Sequence, residues 1–431
     1  MTTSLHVPTP SAPFAPASTA DLPAGMRARL DRWLARCHAG TPAAVVLGGS
    51  VNGLSFVRSL GRRGVPVLML ETERLIGTYT RLGEVLLLPP AAEAEDVWLG
   101  VLGYVGARLP APAAIFSTAD AYGVLLARHQ EALRAHYRFI VPTAEAMERI
   151  VNKRLQYGAA EAAGVPIPRT FFPDSVAEAR EAAGAMTYPC ILKPYKAHEG
   201  RKKITGKKAI VVQSPEELVA VFAELVAGGS SEFMVQELVP GDDTSLFGYL
   251  AFWDEESRER AWLTKQKLRQ SSAFGDGAYQ ATVDAPEVAA LARRLLSAIG
   301  YRGFVGVEFR RDPRDGVYKL MEINPRTVSG NQMAISAGVD FPWIGYRFLT
   351  AGTLAPADVA AYRRGVHYVN EEWDFRAYLG LRGKGGPTLG QWLRDLRRAE
   401  ARAIGAWDDP RPLAVAAWRI ARASLRRLTG G

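Results

Sequence analysis

The chain has 431 residues, 48% of them hydrophobic and 23% charged, enough for two or three domains with buried cores. No apolar stretch reaches the length of a membrane span, and the two cysteines, Cys37 and Cys190, exclude a disulfide framework or a cysteine zinc site. The formal charge of +9 is concentrated late, with 14 Arg and Lys against 7 Asp and Glu in residues 361–431, so the nearly neutral main body gives no reason to expect a nucleic-acid binder.

Residues 1–40 read as a disordered or helical lead-in. The first part is rich in Pro, Ala, Ser and Thr and lacks the basic start and apolar core of a secretory signal. With the cysteine usage, this points to a reducing cytoplasm. Ala43–Leu47 is a buried-type strand that runs into Gly48-Gly49-Ser50-Val51-Asn52-Gly53. Leu54–Arg63 then has helical periodicity, and Val65–Glu71 is the next strand. This strand–glycine turn–helix–strand unit predicts a parallel α/β sheet, a Rossmann-like domain over 41–143, with further strands at Val85–Leu88 and Ala114–Ser117.

From 144 to 350 the pattern becomes α+β, with a first lobe over 144–235 and a second over 236–350. A helix is expected from Ala144 to Gly164, stopped by Val165-Pro166-Ile167-Pro168. The strand Cys190–Pro194 leads into a Gly- and Lys-rich loop, Ala197–Lys208. Strands follow at Ala209–Val212, Phe233–Glu237, Leu246–Trp253 and Ala261–Lys267, with helices near 215–227 and 286–299. Residues 351–431 read as a basic helical tail, in which Trp418, Leu425 and Leu428 fall near one side of a helix and Arg419, Arg422 and Arg426 on another.

The most informative segment is a hairpin. Val305–Phe309 and Leu320–Arg326 are strand-like, and Arg311-Asp312-Pro313-Arg314-Asp315-Gly316 between them has turn chemistry. Residues i and i+2 of a strand share a face. The hairpin can therefore gather Glu308, Glu322 and Asn324 on one face, flanked by Arg326. Two carboxylates and an amide oxygen are the donors that Mg²⁺ prefers. Upstream, Lys193 closes a buried strand, where its ammonium can aim at phosphate, and Lys153 sits on a helix. The lysine-rich loop between Glu199 and Lys208 could fold over a triphosphate, and Gln236–Asp243 could offer backbone groups to a purine.

Taken in order, Lys153, Ile191-Leu192-Lys193-Pro194, the Gly/Lys loop, Gln236–Asp243, Glu308 and Met321-Glu322-Ile323-Asn324-Pro325-Arg326 resemble the ATP-grasp superfamily of carboxylate–amine ligases. The resemblance covers about residues 40–350. Locally, Lys265–Gln270 and Tyr301–Phe304 are distantly similar to carboligase-like members such as D-aspartate ligase. The resemblance implies a Rossmann-like domain followed by a two-lobed ATP-grasp domain, and a ligase that joins a small-molecule carboxylate to an amine, such as an amino acid, through an acyl phosphate. It implies ATP and Mg²⁺ as cofactors, with Mn²⁺ as an alternative ion. By the same resemblance Lys153 and Lys193 contact the phosphates; Gln236, Glu237 and Val239 frame adenine; and Asp243 holds ribose. Glu308, Glu322 and Asn324 hold the metal, and Arg326 stabilises the transferring phosphoryl group. Lys267, Arg269 and Arg326 are candidates for binding the substrate carboxylate. Gln236 and Asp243 stand where many members have Glu.

Two other readings compete. Gly48, Gly53 and Glu71 echo a dinucleotide fingerprint, which would make the chain a nicotinamide-dependent dehydrogenase, although Ser50 replaces the middle glycine. A nucleotide-binding protein without turnover would keep the ATP residues. For the tail, arginines facing solvent are the simpler expectation, and weak association with an anionic membrane surface is the alternative. Among the histidines only His198, beside the lysine-rich loop, is near candidate chemistry.

Overall fold

A computed structural model of the chain describes residues 22–195, 209–229, 231–355, 358, 361–383 and 385–428, with 423–428 described in backbone only. The described strands form three sheets.

The first sheet joins β1 (Ala44–Leu47), β2 (Val67–Glu71), β3 (Glu84–Leu87), β4 (Ala113–Ser117) and β5 (Tyr137–Arg138). All pairs are parallel, in the order β3-β2-β1-β4-β5. Ala44-Val45-Val46-Leu47 is buried throughout, as a strand covered by helices on both faces requires. The strand order reverses between β1 and β4, which opens a crevice beyond their carboxyl ends. Gly48 leaves β1 with φ +115°, and a Cβ on Gly53 would lie 1.9 Å from Gly48 O, so the turn closes only on glycine. Ser50 Oγ accepts from Asn52 N at 3.2 Å and starts the helix Val51–Gly61 ahead of the Leu54 that periodicity suggests.

The second sheet contains β6 (Thr170–Phe171), β7 (Cys190–Pro194), β8 (Ile210–Val212) and β9 (Phe233–Glu237), antiparallel in the order β6-β9-β7-β8. Leu192, Val212, Phe222 and Phe233 fill the core between this sheet and its helices. The helix expected over 144–164 is two helices, Ala144–Val151 and Lys153–Ala162. Asn152 breaks it by taking an extended conformation, and its Oδ1 accepts from Arg154 N at 3.0 Å. Lys153 thereby becomes the first residue of a helix.

The third sheet runs β14-β13-β10-β11-β12-β15-β16. Its strands are β10 (Leu246–Trp253), β11 (Glu259–Gln270), β12 (Gly277–Val283), β13 (Gly303–Arg311), β14 (Tyr318–Asn324), β15 (His367–Val369) and β16 (Ala401–Arg402). The helix Pro286–Ala298 packs Val288, Ala292 and Leu295 among Tyr249, Val305 and Val307.

The last two strands correct the expectation of a wholly helical tail. Val366 and Tyr368 are fully buried, and β15 pairs with β12 and then with β16, so the tail extends the sheet before its final helix. That helix, Arg411–Leu428, lies against residues 76–79. Arg419 donates to Arg74 O at 2.9 Å, while Trp418 stays 59% exposed. The expected placements of Leu425, Arg426 and Leu428 side chains lie outside the described residues. The tail is also tied to the first sheet's helix. Arg58 Nε donates to Asp409 Oδ2 at 3.0 Å, both side chains being buried, and Asp409 accepts further from Thr80 Oγ1 at 2.8 Å and Arg81 N at 3.0 Å.

No described helix is long and apolar enough to cross a membrane. Burial pushes the thiols of Cys37 and Cys190 up to about 11, leaving both protonated and unreactive near neutral pH.

Candidate active site

A cleft of about 530 Å³ lies where the three sheets meet, and the β13–β14 hairpin forms its floor. Glu308 and Glu322 are direct cross-strand partners in the register, and Asn324 opposes Gly306. Like charges facing each other on a sheet are unfavourable. Two lysines offset the repulsion. Lys267 Nζ lies 2.7 Å from Glu308 Oε2, and Lys153 Nζ lies 3.5 Å from Glu322 Oε2. Lys153 reaches Glu322 because it opens its helix, with its backbone N–H bonded to Tyr195 O at 3.0 Å. Burial is the largest influence and works against the Lys153 charge, but Glu322, Tyr157 and Asp120 together outweigh it and the pKa is raised.

Among the described residues no group of three or more His, Cys, Asp or Glu could hold a metal ion. The donor set here is instead two carboxylates and the amide of Asn324, all oxygen, which fits Mg²⁺ or Mn²⁺ and not zinc. Beyond it, Arg326 NH2 donates to Asn324 Oδ1 at 3.0 Å and its Nε to Asp120 Oδ1 at 2.7 Å. Asp120, from the start of the helix after β4, has no motif around it, and sequence reasoning missed it.

Lys193, the next-to-last residue of β7, enters the cleft, with its Nζ 6.0 Å from the centre of the Tyr157 ring. Burial and neighbouring Lys153 lower its pKa to about 7, while Glu322 and Glu308 resist the shift. The lysine-rich loop Ala197–Lys208 and His198 lie outside the described residues.

The expected adenine and ribose residues are differently placed. Gln236 is fully buried, and its Nε2 donates to Thr170 Oγ1 at 2.8 Å, outside the cleft lining. The Glu237 carboxylate accepts from Lys319 at 2.9 Å, from Arg169 N at 3.1 Å and from Arg314. Those bonds hold the hairpin turn to the second sheet, so the Glu237 side chain has a structural job already. Glu237, Leu238 and Val239 all line the cleft, which keeps an edge of backbone available there. Both Asp243 oxygens accept from Gln270, from its N and its Nε2 at 2.7 Å each. Gln270 lines the cleft and Asp243 does not.

Arg269 needs a correction. It lies outside the cleft lining, with Nε 2.7 Å from Asp374 Oδ1 and NH2 3.1 Å from Asp395 Oδ2. Strand pairing slips between Lys267 and Arg269, and the two residues serve different partners. Lys267 and Arg326 do line the cleft.

Glu71 is also occupied. It is 4% exposed and accepts from Gly49 N at 2.5 Å, Thr72 N at 2.6 Å and Tyr122 OH at 2.7 Å. A carboxylate that pins its own glycine turn is not offered to a ribose, which weighs against the dehydrogenase reading. The turn instead presents Ser50, Val51 and Asn52 to the cleft.

Residues 230–372 match a protein family described as ATP-grasp in the biosynthetic pathway with Ter operon. The chain is 30% identical over 233 residues to D-aspartate ligase of Enterococcus faecium, covering 49% of this chain and 52% of that protein. It is 32% identical over 212 residues to a formate-dependent phosphoribosylglycinamide formyltransferase of Wolinella succinogenes, covering 43% and 47%. The chain thus spans about half the length of these curated relatives. Among solved structures, the ADP complex of an N5-carboxyaminoimidazole ribonucleotide synthetase superposes with TM-score 0.59 at 13% identity, over 77% of this chain and 82% of that one. Biotin carboxylase from Campylobacter jejuni gives TM-score 0.59 at 15% identity, over 75% and 74%. These likenesses establish a shared fold.

Proposed function

We propose that this chain, which carries an ATP-grasp segment over residues 230–372, is an ATP- and Mg²⁺-dependent ligase that joins a carboxylate to an amine through an acyl phosphate. The observation that carries the reading is the facing pair Glu308 and Glu322, each set against a lysine, with Asn324 and Arg326 beyond them in one cleft. Such a floor has little purpose in a stable sheet unless charge is to be brought to it.

Lys153 and Lys193 would meet the phosphates of ATP, and the backbone of 237–239 would border the base. Bound at Glu308, Glu322 and Asn324, Mg²⁺ would neutralise charge on phosphoryl oxygens. Arg326, partly buried and held in place by Asp120 and Asn324, would face the transferring group with a fixed guanidinium. A carboxylate oxygen attacks the γ-phosphorus, the bond to ADP breaks, and an acyl phosphate forms. The amine nitrogen then attacks the acyl carbon, loses a proton, and phosphate leaves. Lys267, paired with Glu308, is positioned to hold the reacting carboxylate when that pair is loosened.

The test is ADP release over a panel of small carboxylates and amines, with hydroxylamine present to capture the acyl phosphate as a hydroxamate. Hydroxamate formation that requires both ATP and an acid supports the reading. Glu322→Gln should abolish it while leaving the melting temperature within a few degrees. Full activity in that variant refutes the metal role, and ATP binding without hydroxamate from any acid favours a nucleotide-binding protein without turnover. One observation favours a weak association of the tail with an anionic membrane: Trp407 and Trp418 are 94% and 59% exposed, near the exposed Arg411 and Arg422.

A further inference from the structure

Lys265 lies on β11, two residues before Lys267, and lines the same cleft while remaining only 6% exposed. Space has been made for it. Gly248 is its partner on β10, and a Cβ there would fall 2.7 Å from Lys265 Cε. The ammonium donates to Gln280 Oε1, and among the described residues it forms no ion pair. Lys153 and Lys267, in the same cleft, each have a glutamate. The charged groups acting on Lys265 are Lys267, which disfavours its charge, and Glu308 and Asp276, which favour it; burial dominates and lowers the pKa to about 8. A buried ammonium with spare donors and no carboxylate in contact is short of an anion.

A second element faces the same place. A Cβ on Gly330 would sit 3.5 Å from Lys265 Nζ, so the loop 327–330 passes beside the ammonium. That loop is bonded to the start of the helix Val51–Gly61. Asn52 Nδ2 donates to Thr327 O at 2.7 Å, Thr327 Oγ1 donates to Asn52 Oδ1 at 2.8 Å, and Asn331 Nδ2 donates to Ser55 Oγ at 2.7 Å. The amino end of this eleven-residue helix, with its partial positive charge, is thus held near the Lys265 end of the cleft, which Ser50 and Val51 also line.

We propose that Lys265 and the first turn of the helix Val51–Gly61 form a subsite for a spectator carboxylate, one that a substrate carries but that is never activated. The proposal rests on the ligase reading only in calling the ligand a substrate. Two sources share this chemistry: the second carboxylate of a diacid donor, or the carboxylate of an amino-acid acceptor. Lys265 is here a binding residue and takes no part in the phosphoryl transfer.

Calorimetric titration of the full chain with two matched pairs separates the sources: succinate against butyrate, and alanine against ethylamine. In one pair the member with the extra carboxylate should bind at least tenfold more tightly. Lys265→Met, which keeps the length of the stem, should abolish that preference with ATP affinity unchanged, and Lys265→Arg should restore part of it. A preference in the first pair assigns the subsite to the donor, and in the second to the acceptor. Equal binding within both pairs overturns the proposal, as does a preference that survives Lys265→Met. Binding with the expected preference but no ADP release would refute the ligase reading and leave the subsite standing.

Discussion

Raising the pH through the range of Lys193 is a sharp perturbation of the cleft. With its pKa lowered to about 7, chiefly by burial, this side chain loses its proton where an ordinary lysine keeps it. At pH 8 about one molecule in ten carries the ammonium before ATP binds. A phosphate against the nitrogen favours the charged form and returns the pKa toward the ordinary value of about 10.4. ATP binding at pH 8 should therefore take up roughly 0.9 proton and be weaker by about 1.4 kcal/mol, or tenfold, than with Lys193 fully protonated. The sign is fixed: affinity is full below pH 7 and falls as pH rises above it. Terminal phosphates of this kind have a last pKa of about 6, so further ionisation of ATP cannot produce a loss in that range. Calorimetry at pH 8 in phosphate and in Tris, which differ in ionisation enthalpy, measures the uptake directly. Lys193→Met should bind ATP more weakly and lose the uptake. Uptake below roughly 0.2 proton in the native chain, or uptake that persists in Lys193→Met, would refute the reasoning.

Arg269→Met strands Asp374, whose side chain is fully buried, and should destabilise the fold by about 3–5 kcal/mol in urea melts without altering turnover per folded molecule. A purely catalytic loss would contradict the structural assignment. Gly53→Ala, with its Cβ driven into Gly48 O, should cost about 3 kcal/mol or prevent soluble expression, whereas Gly158→Ala, on an open helix face, should be neutral or stabilising by about 1 kcal/mol. Thermal melts of the two variants side by side decide this. Sedimentation with phosphatidylglycerol vesicles at low salt should retain a fraction of the chain, and the double variant Trp407→Ser, Trp418→Ser should lose it. Equal retention of the double variant, or equal binding to phosphatidylcholine vesicles, removes the membrane reading.

The floor of the site was legible because its information is local. Alternation around Glu308 and Glu322, with turn residues between, fixes which side chains share a face, and the register places the two carboxylates opposite each other. Lys193 could be marked for the same reason, at the end of an apolar strand, whereas Lys153 reads as a helix residue and is marked through its place in the ordered set of motifs. Arg269 misled because its partners, Asp374 and Asp395, lie 105 and 126 residues downstream in helices that advertise no contact with a strand. Glu237 and Asp243 misled differently. They stand beside the right backbone, but their carboxylates bind Lys319, Arg314 and Gln270, and no spacing in the sequence pairs them so. Lys265 was visible as a residue and invisible as a site, since its burial depends on a glycine on the adjacent strand and on a loop 65 residues away.

The bond from Arg58 to Asp409 also couples the two ends of the chain. Arg58 belongs to one of the earliest elements of the chain, and its charge is buried against a carboxylate 351 positions later. Without that carboxylate, the guanidinium has no charged partner in the interior and is better off in water. The helix that covers the early sheet therefore keeps one buried charge whose partner comes from the far end of the chain. Loss of the Asp409 carboxylate would leave the Arg58 guanidinium uncompensated in the interior, so the first sheet's helix and the C-terminal segment share one stability.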